Sequence, residues 1–175
     1  MAREKYGYAE SSRLAATYGD AHIYSVVDAA NPLENGMLVT LGDMIDRENY
    51  EVKAPTKGDA VVLVLDVILP YDTSTTVGQY EYYHRFDAGR STRAYNLIPR
   101  DMYSIADYMV TTLAGDGKPA VAKNYLVANS DRKYTEVAKT EDVSAYGFVA
   151  VIEEIVYKSN LTLYLIRVIK NETVA

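Results

Sequence analysis

The chain opens without a sustained apolar period. Residues 1–20 are polar and rich in small residues, with Tyr6, Tyr8 and Tyr18 spaced among them. A short helix over Glu10–Thr17 fits the spacing, but the stretch holds too little apolar surface for a core of its own. It predicts an N-terminal arm over 1–20, the plainer reading being a disordered terminus. From residue 22 the texture turns to short β-type runs. "HIYSVV" is followed by "LENGMLVTLGD", where Asn35-Gly36 between apolar residues carries a two-residue hairpin signal. "ENYEVKAP" alternates and stops at Pro55, and "TKGD" turns the chain. "AVVLVLDVIL" is the nearly continuous run expected of a strand buried on both faces.

Residues 71–97 break the pattern. The part "YEYYHRFDAGRSTRAYNL" follows neither period, so 71–97 is predicted to be one long excursion loop. Over 98–113 the spacing allows a helix or a strand, and the β-branched tail "VTTL" favours a strand. Beyond the turn "AGDGKPA" come "VAKNYLVA", "KYTEVAK" and the acidic loop "TEDVSA". The closing run "YGFVAVIEEIVYKSNLTLYLIRVIK" predicts a long hairpin. The pattern as a whole predicts an all-β domain over 21–175, mainly an antiparallel β-sandwich or small β-barrel, carrying the excursion and preceded by the extended arm.

Composition narrows the chemistry. The absence of cysteine excludes disulfides, thiolate metal sites and a cysteine nucleophile, and two histidines, His22 and His84, argue against a His-rich metal centre. No uncharged apolar run is long enough for a membrane-spanning helix, and residues 1–22 lack a signal-peptide layout. The expectation is synthesis in the cytoplasm and no membrane partner. A net charge of −6 opposes nucleic-acid binding, whose affinity rests on phosphate neutralisation. There are 17 tyrosines against 2 phenylalanines and no tryptophan, a bias that suits strands and interfaces alike.

Candidate chemistry is sparse. Nucleotide-loop, serine-hydrolase, zinc-protease and EF-hand motifs are absent. The acid groups Asp43/Asp46/Glu48 and Glu153/Glu154 read as a solvated turn and a strand end rather than a catalytic dyad. His84 with Asp87 could orient a base toward Ser91 or Thr92, but a hydrogen-bonded contact residue is the plainer reading. Arg85, Arg90 and Arg93 among tyrosines could grip a single strand, or could anchor a protein interface. The acidic balance favours the interface. No catalytic, cofactor or metal residue is assigned. The predicted protein-contact set is Tyr6, Tyr8, Arg13, Tyr18, Tyr82, Tyr83, His84, Arg85, Arg90 and Arg93.

The order of motifs is distinctive. "NPLENGMLVTLGD" precedes "YEVKAPTKGDAVVLVLD", then the aromatic stretch ends in "AGRSTRAYNL", and "RDMYSIAD" leads to the closing "YGFVAVIEEIVYKSNLTLYLIRVI". From Ile23 to Ile169 this order resembles the head decoration, or auxiliary capsid, proteins of tailed phages of Gram-positive bacteria. The resemblance implies a structural virion protein without enzymatic activity. Its partners would be the major capsid protein and sister copies, a trimer fitting threefold positions, and its place the outer capsid surface, where it would stabilise the shell. Two other readings stand beside it: another virion component (head-fibre base, tail or head–tail connector protein), and a small-barrel module binding single-stranded nucleic acid.

Overall fold

A computed structural model describes residues 4–18, 23–68, 80–115, 117–158 and 160–174. The described chain is all-β. Its strands are β1 (Ala9–Arg13), β2 (Ile23–Val27), β3 (Leu38–Met44), β4 (Asn49–Lys53), β5 (Val62–Val64), β6 (Thr92–Asn96), β7 (Met102–Ala106), β8 (Val110–Thr111), β9 (Tyr125–Ala128), β10 (Tyr134–Val137), β11 (Phe148–Lys158) and β12 (Leu161–Asn171). Two units arise. β2-β4-β3-β5-β6 close into a five-stranded barrel, and the remaining seven strands form an open sheet in the order β1-β7-β12-β11-β9-β10-β8. Pairing is antiparallel except for β2 with β4 and β10 with β8.

The closing hairpin is the spine of the sheet. Its β-branched and leucine-rich strands pair from Phe148↔Asn171 to Lys158↔Leu161, with irregularities between Val149 and Ala150 and between Ile152 and Glu154. One apolar cluster joins the two units, taking in Leu38, Leu63 and Ala94 from the barrel and Tyr103, Leu126 and Ile166 from the sheet. Polar groups at this junction are bonded. The Tyr134 hydroxyl donates to the Gly36 carbonyl at 3.0 Å, which leaves the Tyr103 hydroxyl to donate to Tyr134 at 3.1 Å. The Asn171 amide accepts from Val61 N–H and donates to the Val61 and Leu97 carbonyls, tying the end of β12 to the barrel.

Several expectations change. Residues Ala9–Arg13, read as part of an arm or a short helix, are the outermost strand of the large sheet, paired with β7. Leu14, which follows, is 1% exposed, and a short 3-10 turn spans Ala15–Thr17. A polar strand needs only one buried neighbour to be held, and β7 supplies it; local composition could not show that. Residues 71–97 are not one loop either. Thr92–Asn96 is β6, which closes the barrel between β2 and β5, while 71–79 lie outside the described residues.

Asn35-Gly36 does form a turn, with Met37 N–H donating to Glu34 O and Gly36 at φ +89°, but it joins no hairpin. Only Gly36 of the two central residues has positive φ, as in a type II turn. The buried Asn35 side chain instead pairs with the Asp66 backbone, donating to its carbonyl at 2.9 Å and accepting from its amide at 2.8 Å. That side-chain pairing takes over just past the end of β5. The strand is therefore shorter than the apolar run around it, and Val61–Val64 is buried throughout. The strand reading of 98–113 corresponds to β7 and β8, separated by a 3-10 turn at Asp107–Met109.

Candidate protein-contact surface

Two segments distant in sequence meet on one surface. Residues around Tyr6 and Tyr8 lead into β1, and residues 80–86 approach β6. Reciprocal backbone bonds between Leu33 and Phe86 fix the second segment to the barrel, with Phe86 buried. Before that anchor the chain makes a 3-10 turn, Glu81–Tyr83, in which His84 N–H donates to Glu81 O. Tyr6 N–H then donates to Tyr82 O at 2.8 Å, joining the two segments.

Tyr82 is the hub. Its ring stacks on Tyr80 at 5.1 Å between centroids, tilts against Tyr83 at 4.6 Å and meets the edge of Tyr8 at 6.3 Å. Lys5 Nζ lies 5.5 Å from the Tyr82 ring centroid, and the Arg85 guanidinium lies 4.9 Å from that of Tyr6. Beside the rings runs a groove of about 300 Å³, lined by Tyr8, Glu10, Tyr80, Glu81, Lys158 and Asn160 among others. Lys158 donates to both Glu10 oxygens, and the Tyr8 hydroxyl donates to one of them. Burial alone would raise the Glu10 carboxyl, but those donors outweigh it and hold it below its ordinary value. Burial and then Glu10 push the Tyr8 phenol up, and burial and then Asp107 push up that of Tyr108. Both phenols stay protonated donors at neutral pH, Tyr108 donating to the Tyr6 carbonyl.

Of the predicted contact set, the fold brings together Tyr6, Tyr8, Tyr82, Tyr83, His84 and Arg85. Tyr82 is 5% exposed, so its ring supports its neighbours rather than offering a face to a partner. Tyr83 and His84 are half-buried, and Arg85 is exposed. Four residues lie apart from the tyrosine cluster. Arg13 ends β1, and Tyr18 follows the 3-10 turn with its side chain exposed. Arg90 rests over the Phe86 ring, and Arg93 sits on β6 with its Nε 4.0 Å from the Asp66 carboxylate. Lys5, Glu10, Tyr108 and Lys158 complete the surface and were not anticipated. Only the tertiary fold brings them beside residues 80–86.

No protein-family model matches this chain, and neither a curated protein nor a solved structure matches it. Among the described residues, no group of His, Cys, Asp or Glu is placed to hold a metal ion, and no helix is long and apolar enough to cross a membrane.

Proposed function

We propose that this chain is a phage head decoration protein that binds the outer capsid surface through the surface built by residues 4–10 and 80–86. The observation that carries this reading is the convergence of two Tyr-rich segments on a single cluster around Tyr82. Tyrosine and arginine anchors are the side chains from which protein–protein hot spots are made. Holding the rings against one another before binding lowers the entropy lost when they meet a partner. The resemblance in motif order supports the same reading, and an acidic chain suits a position outside the shell, away from packaged DNA. A protein that binds only the assembled shell stabilises it by mass action.

The test is the ratio of this chain to the major capsid protein in purified virions, by quantitative mass spectrometry. A ratio near unity, or a simple fraction set by capsid symmetry, is expected. A few copies per particle would reassign the chain to a connector, tail or fibre base. Absence from the virion would overturn the proposal and bring forward the single-strand reading, tested by salt-dependent binding.

A further inference from the structure

We infer that the concavity beside the tip of the β11–β12 hairpin binds a neutral saccharide, with the Tyr157 ring as platform and Asp107, Lys118 and Tyr164 as hydrogen-bonding groups. The inference does not depend on the capsid reading, and of the contact surface only Tyr108 also lines this cavity. Tyr157 is paired with Thr162 and Lys158 with Leu161. Successive side chains of a strand point to opposite faces, so Tyr157 and Thr162 lie across the hairpin from Lys158 and its groove. Their side holds a cavity of about 530 Å³, also lined by Asp107, Thr112, Lys118 and Tyr164. That is within the range of roughly 300–1,000 Å³ of small-molecule sites.

The lining has unused bonding capacity. Tyr164 is 1% exposed, and its hydroxyl oxygen accepts the Ala120 N–H at 2.9 Å. Its own O–H has no acceptor among the described residues. Burial pushes this phenol up, so it keeps that hydrogen. The Asp107 carboxylate accepts only the neighbouring Tyr108 N–H among the described residues, and Lys118 pairs there with no carboxylate. Tyr157 is 75% exposed, a large ring left in solvent at the rim.

A carboxylate, an ammonium, a phenol donor and threonine hydroxyls match a ligand whose every polar group both donates and accepts. A pyranose is such a ligand, and its C–H face packs on an aromatic ring. One acidic and one basic side chain together oppose strongly charged ligands of either sign. Strand addition by a peptide is the weaker alternative, because β8, the sheet edge beside the cavity, spans only Val110–Thr111.

Ligand-observed saturation-transfer NMR on the full chain tests this with glucose, galactose, mannose, N-acetylglucosamine, and their disaccharides cellobiose, lactose, maltose and chitobiose. At least one sugar is expected to receive transfer on its ring C–H protons. Tyr157→Ala should abolish that transfer, and Asp107→Asn should weaken affinity by about tenfold, the effect of losing a charge-assisted bond. Both positions lie outside the core, and an unchanged near-ultraviolet spectrum verifies that each variant is folded. Transfer to none of the sugars overturns the inference. So does transfer undiminished in Tyr157→Ala.

Discussion

The Asp28 carboxylate shows what single side chains contribute here. It accepts from the Ala30 and Asn31 amides in the loop after β2 and from the Arg132 guanidinium in the β9–β10 turn. It thereby ties barrel to sheet. The two side chains are 7% and 13% exposed, whereas Lys123 beside Glu153 is 57% exposed. Exposed pairs are worth little, but removing one partner of a buried pair strands the other charge. Arg132→Ala is expected to cost about 3 kcal/mol in urea unfolding, and Lys123→Ala to fall within error of the parent.

The pH dependence follows from the same group. Burial would raise the Asp28 carboxyl, but its amide and guanidinium donors win and hold it below its ordinary value. A carboxyl lower in the folded than in the unfolded chain adds stability that is complete above its unfolded pKa, about 4. That stability drains as the pH falls toward the folded value. Thermal melts should therefore lose stability on acidification below about pH 4, and Asp28→Asn should start lower and show a shallower loss.

At the scale of elements, two junctions matter most. Gly147 immediately precedes β11, where the chain crosses the β4–β5 connection: its N–H donates to Lys57 O, and its carbonyl accepts the Glu172 N–H. A Cβ there would clash with the carbonyl oxygens of Asp59 and Gly58. Both obstacles are backbone and cannot rotate away. Gly147→Ala should cost about 2 kcal/mol or more, read as a lower denaturation midpoint with unchanged slope. The second junction is β1. Deleting residues 1–14 strips β7 of one of its two neighbours and removes the buried Leu14, so the melting temperature should fall sharply. A free arm over 1–20 would leave it unchanged, and the same deletion separates the two descriptions.

For the molecule as a whole, the contact surface is made of parts that differ in role. Tyr80, Tyr83 and Arg85 reach solvent at least in part, and Tyr82 does not. The triple variant Tyr80→Ala/Tyr83→Ala/Arg85→Ala should keep the parent's circular dichroism and lose retention on purified heads in co-sedimentation. Retention equal to the parent would remove this surface from the attachment. Tyr82→Ala should lower stability itself, by about 3 kcal/mol as for other buried aromatics, and is a poor probe of binding.

Local pattern alone determined much of this protein. The β class, the closing hairpin and the buried strand at Val62–Val64 follow from β-branched density and apolar runs, because those properties act over a few neighbouring residues. The joining of Tyr6 and Tyr8 to residues 80–86 is written in no local window of the sequence. Tertiary structure decided the rest. It made a polar stretch into β1 by giving it β7 as a partner, and made Thr92–Asn96 into the strand that closes a barrel. It turned Asn35 from a hairpin residue into a side-chain partner for Asp66. It also parted Arg90 and Arg93 from the tyrosines and buried Tyr82 beneath them. In each case the deciding energy is a hydrogen bond or packing contact with a residue far along the chain, which no local window of sequence contains.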